Sequence, residues 1–353
     1  MKKFSFIVLS ALVALASSCN LFEDVKAPGI DKKIDSSSEV QSLELIDLDK
    51  EYSAIESHVG TSSSGSYYYV ASAPSTLSAN VSSTDTKVLV EGELTIESLD
   101  LPDIVKPVSG SASNAGLILE FDNTYSQPVD VTAKATVDSK SAKLTGIQAK
   151  GSKLTKTAFL LDLDDVDNLE YDTIVIPDVL AGPVSDGVTE HIIVSELELI
   201  PEKGVSALSA AGDYNFKIAA KYYSSLTFKK GTKLHVTKTF NDLKLKLDRL
   251  DYPLKEYDVY IEFVSTVPFD ITASVTSEDG LTGTSDSVIK AGKPGSPVTS
   301  EVVLHVVDNS GKNVSEINSA TLDLYFVAAE KASFAKGQTL KINAEKLTIQ
   351  KVK

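Results

Sequence analysis

A nine-residue segment occurs twice in this sequence, and that repeat constrains the fold more than any other feature. Residues 128–136 read PVDVTAKAT and residues 268–276 read PFDITASVT, so five of the nine positions are identical at a spacing of 140 residues. Matching segments that keep the same order while the spacing between the two copies varies indicate a duplication followed by changes in loop length. Three further pairs of segments match in the same order, namely 99–102 with 250–253, 119–121 with 261–263, and 196–199 with 346–349.

Alternation of apolar and polar residues fills most of the chain beyond residue 42. Runs rich in Val, Ile, Thr, Tyr and Phe are separated by clusters of Gly, Pro, Asn, Asp and Ser, which is typical of strands joined by turns. With the repeat, this pattern predicts an all-β protein of two related antiparallel β-sandwich domains, at residues 43–205 and 206–353. Pro128 and Pro268 are expected at strand starts, because proline cannot donate to a sheet ladder.

The N-terminal region has the pattern of an export signal. Two lysines precede an apolar run over residues 4–16, which is too short to cross a bilayer, and small residues then lead to Cys19. The pattern predicts a signal peptide over residues 1–18 and a flexible tether over residues 19–42. Cys19 is the single cysteine of the chain, so a disulfide framework and a cysteine-based zinc site are both excluded.

The segment ending in Cys19 resembles the lipobox of bacterial lipoproteins. The resemblance implies that Cys19 becomes the amino terminus and carries acyl chains, palmitate among them, through which the protein has the membrane as a partner. Glu23 and Asp24 follow closely and resemble the acidic signal that sends lipoproteins of Bacteroidota to the exterior face of the outer membrane. The localisation implied is the bacterial outer membrane, lipid-anchored and facing the cell exterior.

The repeated segments are similar to immunoglobulin-like and WHy-type sandwich domains, in which a strand ending in Asn precedes a strand that begins with Pro. Asn123 and Pro128 match that arrangement, whereas Ser265 stands at the corresponding position of the second repeat. The resemblance implies tandem immunoglobulin-like domains. Two-domain fimbrial subunits of Bacteroidota are similar too, since they begin as lipoproteins and are cut after a basic residue, for which Lys32, Lys33 and Lys50 are available.

The composition disfavours several classes of function. The formal net charge is −15, from 49 acidic and 34 basic residues, whereas nucleic-acid-binding domains are usually basic. The four histidines are far apart in the sequence, and no nucleophile elbow, zinc-protease motif or phosphate loop occurs. We therefore expect a protein that is not an enzyme, with no catalytic residue, no cofactor and no nucleic-acid partner.

Two tyrosine clusters are candidate contact sites for a surface glycan or a protein. Tyr67 and Tyr69 share one face of a predicted strand, and Tyr222 and Tyr223 are adjacent in the second half of the chain. Because neighbouring residues of a strand point to opposite faces, some of these rings are expected to face outward. In the alternative interpretation, one tyrosine of each cluster lies in the core and its neighbours cover the sandwich edge.

A run of carboxylates is a candidate calcium loop, because calcium prefers oxygen ligands at such spacings. It comprises Asp162, Asp164, Asp165 and Asp167. The run lacks the glycine and the closing glutamate of an EF-hand loop, so a solvated turn with no metal is the preferred interpretation.

Three functions are consistent with these features. The leading one is a non-catalytic, surface-exposed lipoprotein that serves in adhesion, ligand contact or envelope structure. The alternatives are a glycan-binding lipoprotein of a polysaccharide uptake system and a fimbrial subunit. The absence of tryptophan disfavours glycan capture, and the absence of arginine in the tether disfavours the fimbrial subunit.

Overall fold

The computed structural model of the chain is almost entirely β-structure, so the prediction of an all-β protein is confirmed. Its two short helices in the described part of the chain are α1 (Leu48–Ser53) and α2 (Asp178–Asp186). Neither helix is long and apolar enough to cross a membrane. The structure describes residues 43–53, 58–81, 87–97, 103–104, 106–124, 128–151, 153–163, 171–186, 190–201, 214–240, 245–246, 256–278, 280–309, 316–317 and 319–351.

The strands are numbered in chain order. Those of the first half are β1 (Leu43–Asp47), β2 (Val59–Thr61), β3 (Tyr67–Ser72), β4 (Leu77–Val81), β5 (Val88–Val90), β6 (Leu94–Glu97), β7 (Pro107–Ser109), β8 (Ala115–Asn123), β9 (Val129–Val137), β10 (Lys140–Ala149), β11 (Lys153–Leu160) and β12 (Asp172–Val175). Those of the second half are β13 (His191–Pro201), β14 (Tyr214–Ser225), β15 (Thr227–Phe228), β16 (Lys233–Phe240), β17 (Leu245–Lys246), β18 (Glu256–Ser265), β19 (Asp270–Thr276), β20 (Leu281–Ser285), β21 (Val298–Asp308), β22 (Glu316–Ile317), β23 (Ala320–Val327), β24 (Ala332–Ser333) and β25 (Thr339–Lys351).

These elements divide into two compact units, and the division corrects the predicted domain boundaries. One unit comprises residues 55–106 and 110–229 and is called the inserted unit. The other, called the split unit, takes β1 and α1 from before the inserted unit, β7 from within it, and the strands from β16 onward. The domains predicted at 43–205 and 206–353 are therefore wrong at both ends, because β1 belongs with the later strands and β14 with the earlier ones.

Two sheets make up the inserted unit. One has the strand order β12-β11-β8-β14-β3-β2 with β4 also paired to β14, and the other has the order β10-β9-β13-β5 with β6 also paired to β13. Strands β8 and β14 are central, and six of the seven positions from Ala115 to Phe121 in β8 are buried, which accounts for its nearly continuous apolar sequence. Strand β9 alternates buried and more exposed residues, as expected for a strand covered on one face.

A single nine-stranded sheet forms most of the split unit, with the strand order β1-β25-β18-β21-β20-β19-β23-β16-β7. Strand β20 pairs with β21 on one side and with β19 on the other. Strand β1 closes one edge of the sheet by pairing antiparallel to β25, with Leu43 opposite Ile342.

The internal repeat is visible in the order of strands. In the inserted unit β8 lies between β11 and β14, and in the split unit β18 lies between β21 and β25. Likewise β9 lies between β10 and β13, and β19 lies between β20 and β23. Each unit thus contains the same two triplets of neighbouring strands, and β9 and β19 contain most of the two PxDxTAxxT segments.

One of the four matched sequence blocks joins strands that do not correspond. Residues 196–199 lie on β13, next to β9, whereas residues 346–349 lie on β25, which occupies the place that β14 holds in the inserted unit. Four residues of alternating apolar character match many strands equally well, and this false match placed the predicted boundary before β14. The blocks at 99–102 and 250–253 lie outside the described residues.

The remaining repeat residues occupy equivalent positions. Pro128 directly precedes β9 and Pro268 lies two residues before β19, with Phe269 fully buried. Asn123, at the end of β8, donates from Nδ2 to the carbonyls of Ala149 and Lys150. Ser265, at the end of β18, instead accepts from the amide of Val267 at 3.1 Å, which closes the turn before β19 locally. The Asn123 bonds are long-range and link the end of β8 to the turn between β10 and β11.

Candidate functional site

The four tyrosines proposed as surface contacts are buried, which corrects that prediction. Tyr67 and Tyr69 are 6% and 5% exposed and point into the sandwich, while Tyr222 and Tyr223 are 1% and 4% exposed. Tyr67 and Tyr69 do share a face, as predicted, but that face is the inner one. Tyr68, between them, is the member of the cluster that reaches the outer surface.

Both tyrosines of β14 are buried because this central strand is covered on both faces. On the inner side, the hydroxyl of Tyr222 donates to the carbonyl of Val184 in α2 at 3.3 Å. Burial raises the pKa of Tyr222 to about 12, since the phenolate would have to form away from water. On the outer side, Tyr223 packs against Tyr68, with ring centroids 5.7 Å apart.

An aromatic cluster therefore covers part of the outer face of the β11-β8-β14-β3 sheet. We call it the tyrosine patch, and define it by the half-buried side chains Tyr68, Val70 and Tyr171 over the buried Tyr223. Beneath these side chains lie three buried apolar residues of β8 and β11, Ile118, Ala158 and Leu160. Outer sheet faces are ordinarily polar, so an apolar cluster at this position is a candidate contact surface.

Gly60 gives Tyr68 its position in the patch. Strand β2 places Gly60 opposite Tyr68, and a Cβ at residue 60 would lie 2.2 Å from Cζ of the tyrosine. The ring consequently lies across the backbone of the edge strand, an arrangement that only glycine permits there. The patch is thus held by the backbone of β2 as well as by its own packing.

Charged residues border the tyrosine patch on one side. Lys221 donates to Glu120 Oε1 at 2.9 Å, and Lys156 Nζ forms an ion pair with the same oxygen at 3.5 Å. The Lys156 ammonium also lies 5.1 Å from the centre of the Tyr171 ring. Burial raises the pKa of Tyr171. The arrangement offers apolar area, cation–π contact and ion pairing at one place, which suits binding of a protein surface.

The other predicted sites are only partly within the described residues. Asp162 follows β11, and its backbone N–H donates to Asn114 Oδ1 at 3.2 Å. Asp164, Asp165 and Asp167 lie outside the described residues, as does Cys19, so the calcium and lipidation predictions stay predictions. Among the residues that the structure describes, no group of three His, Cys, Asp or Glu side chains is placed to hold a metal ion.

His305, in the split unit, hydrogen-bonds to two carboxylates. His305 on β21 hydrogen-bonds through Nδ1 to Asp258 and through Nε2 to Asp286, and the bond to Asp258 is the main cause of its raised pKa. The two carboxylates hold opposite edges of the ring, which is the geometry of an imidazolium ion pair and not of a metal site.

A second aromatic surface lies on the outer face of β16 and β23. His235 stacks on Tyr325 with ring centroids 4.4 Å apart and an interplanar angle of 3°, and its Nε2 lies 2.7 Å from Asp323 Oδ1. Tyr325 is 43% exposed, which is unusual for so large a ring. Neither this pair nor an outward Tyr68 was predicted from the sequence. The available signal was Asp323 followed by Tyr325 two positions later, on the same face of a strand.

Comparisons with known proteins show a similarity in fold to a solved structure. No protein-family model matches the sequence, and no curated protein matches it. A solved structure from Parabacteroides distasonis, of a protein provisionally described as secreted, is similar: the sequences are 14% identical, 85% of this chain and 94% of that chain are covered, and the TM-score is 0.50. At this identity the similarity shows the shared all-β fold alone.

Two viral structures show weaker likeness. A structure of infectious bursal disease virus covers 80% of this chain with 8% identity and 38% of its own chain, at a TM-score of 0.23. The major capsid protein P2 of bacteriophage PM2 covers 77% of this chain and 99% of its own, with 9% identity and a TM-score of 0.17. Neither value is high enough to bear on the fold or the function.

Proposed function

We propose that the protein is a non-catalytic, lipid-anchored protein of the bacterial outer membrane that binds a protein partner at the cell surface through the tyrosine patch. The anchor is Cys19, followed by the acidic tether that resembles an export signal to the exterior. The similarity to a protein described as secreted supports a location outside the cytoplasm.

The observation that carries the proposal is the composition of the tyrosine patch. Tyrosine is enriched at protein interfaces because it combines a large apolar ring with a polar end, and the patch combines Tyr68 and Tyr171 with the lysine pair around Glu120. Contact of this kind requires no catalytic group, which agrees with the expectation that the protein is not an enzyme.

The anchor is tested by cell fractionation. Cys19→Ala removes the thiol that would carry the lipid, so we expect the chain to leave the membrane fraction, and we expect protease added to intact cells to digest the wild-type protein. A Cys19→Ala chain that remains in the membrane fraction, or a wild-type chain protected in intact cells, would contradict the proposal.

The contact surface is tested by site-specific photocrosslinking in living cells. A photoreactive phenylalanine derivative at position 68 is expected to give a discrete crosslinked adduct, because that ring would lie within the interface. The matched control is position 154, since Leu154 lies on the same outer face of the same sheet and is 54% exposed. No adduct at position 68, or adducts of equal intensity at both positions, would contradict the assignment of the patch.

Glycan binding is a second candidate function, favoured by the exposed Tyr325. An aromatic ring beside a carboxylate suits a saccharide, because the ring packs on the C–H face and the Asp323 oxygens accept from hydroxyls. Affinity electrophoresis in gels containing starch, xylan or mucin tests this function. We expect the migration of the wild-type chain, but not of Tyr325→Ala, to be retarded if it binds one of them.

A further inference from the structure

A groove of about 250 Å³ lies on the outer face of the β10-β9-β13 sheet of the inserted unit. Its side chains come from three adjacent strands: Thr132 and Lys134 from β9, Ser141 and Lys143 from β10, and Glu196 and Glu198 from β13. Cavities for drug-sized ligands are about 300–1,000 Å³, so this one fits a smaller molecule.

Two β-bulges shape the groove. Strand β10 has its extra residue between Leu144 and Ile147, and strand β13 has one between Ser195 and Glu198, so β9 is flanked by a bulge on each side at adjacent positions. Glu196, in the second bulge, has a φ of 49°, a left-handed conformation that is costly for a glutamate. Bulges of this kind redirect side chains, and here the redirected carboxylate reaches Lys134.

When Lys87, which pairs with Glu198 but does not line the groove, is counted with the lining residues, three ammonium groups and two carboxylates leave an excess of one positive charge. Lys134 Nζ donates to Glu196 at 2.9 Å and Lys87 Nζ lies 2.6 Å from Glu198, while Lys143 is the third ammonium. The hydrogen bond from Lys87 is the main cause of the lowered pKa of Glu198, and the charge of Lys143 contributes to it. In a chain with a net charge of −15, a local positive excess in a concave site is a distinctive feature.

The two lysines face each other in the sheet register. Lys143 is directly opposite Lys134 across β10 and β9, and like charges at such positions repel. Glu196 offsets the charge of one of them. An anionic group placed between the two ammonium groups would relieve the remaining repulsion, and the hydroxyls of Ser141 and Thr132 lie in the same groove to bind polar atoms.

We propose that this groove binds a small hydroxylated carboxylate, with the ligand carboxylate between Lys134 and Lys143 and its hydroxyls donating to Glu196 and Glu198. One negative charge on the ligand matches the single excess positive charge of the groove. A sugar acid has this combination of one carboxylate and several hydroxyls. The site is independent of the proposed function, because it shares no residue with the tyrosine patch.

Isothermal titration calorimetry on the full chain tests the site with sodium glucuronate as the ligand and glucose as its uncharged counterpart. We expect glucuronate to bind and glucose not to bind measurably, and we expect glucuronate affinity to fall as salt rises, since the contact is partly ionic. The Lys143→Ala variant is expected to lose at least tenfold in affinity, while Lys143→Arg retains most of it.

The matched control is Lys153→Ala, which removes one exposed lysine from β11, outside the groove, and makes the same change in net charge. Its affinity for glucuronate is expected to equal that of the wild type. Absence of glucuronate binding, equal binding of glucose and glucuronate, or equal losses in Lys143→Ala and Lys153→Ala would overturn the proposal. Thermal unfolding of each variant shows whether a lost affinity is a folding defect, and Lys143→Arg keeps the test valid if Lys143→Ala is unstable.

Discussion

Strand β14 determines whether the inserted unit can fold, and fragments of the chain measure its contribution. A fragment of residues 55–229 contains β14, whereas a fragment of residues 43–205, the domain expected from sequence alone, ends before it. Strand β14 lies at the centre of its sheet, between β8 and β3. The shorter fragment therefore exposes two strand edges and the apolar face that β14 covers.

The free energy of unfolding that the 43–205 fragment loses can be estimated from the buried side chains of β14. Phe216, Ile218, Tyr222 and Tyr223 of β14 are each at most 4% exposed. Full burial of a large apolar side chain contributes about 1.5–3 kcal/mol, so these four contribute roughly 6–12 kcal/mol. Because a whole domain is stable by only about 5–15 kcal/mol, we expect the 43–205 fragment to have no cooperative fold.

Urea unfolding followed by circular dichroism is the assay. The 55–229 fragment is expected to unfold in one sigmoidal transition, and the 43–205 fragment to show none. A 43–229 fragment is the control: it adds β1 and α1, which belong to the split unit, and its midpoint should match that of 55–229. A cooperative transition in the 43–205 fragment, with a midpoint equal to that of 55–229, would refute the assignment of β14.

Three further outcomes follow from the structure. Gly116→Ala should destabilise the inserted unit by about 1–3 kcal/mol in urea unfolding, because a Cβ there would lie 1.9 Å from a carbonyl oxygen of β11; an unchanged midpoint would contradict this close approach. The raised pKa of His305 means that its bonds to Asp258 and Asp286 add stability below the ordinary histidine pKa of about 6.5, and that this stability is lost as pH rises through the folded pKa. The melting temperature of His305→Gln should accordingly fall furthest below wild type at acidic pH, and a difference that grows toward alkaline pH would be inconsistent with the pairing. Asp164→Ala and a chelator should each leave the melting temperature unchanged; a drop of many degrees would establish a calcium loop.

Local pattern was enough to predict the strands but not which side of each strand faces the core. The alternation from Tyr67 to Tyr69 correctly places those two rings on one face, and Tyr68 on the other. Which face is inward depends on the strands and helix that pack against the sheet, and these come from distant parts of the chain. Tyr222 and Tyr223 are both buried for that reason, since α2 covers one and Tyr68 covers the other.

The repeat was predictable where its residues are chemically distinctive and not where they are generic. The PxDxTAxxT segments fall on β9 and β19, because proline and aspartate fix a strand start that few other segments share. The closing block at 346–349 was matched to β13 because any alternating strand fits it. The groove on the β10-β9-β13 sheet could not be predicted from the sequence, because Lys134, Lys143 and Glu196 come together only through the sheet register and two bulges.

The chain order of the split unit has a consequence for folding during the export that we propose. Leu43 of β1 pairs with Ile342 of β25, so this contact joins residues roughly 300 positions apart, and such long-range closure is slow. A chain that crosses a membrane from its amino terminus presents all strands of the inserted unit before β18, β21 and β25 emerge. The inserted unit can then reach its native state early, whereas β1 stays unpaired until β25 has emerged. Mutations that shorten the chain after residue 229 should for this reason leave a folded inserted unit attached to an unfolded, protease-sensitive remainder.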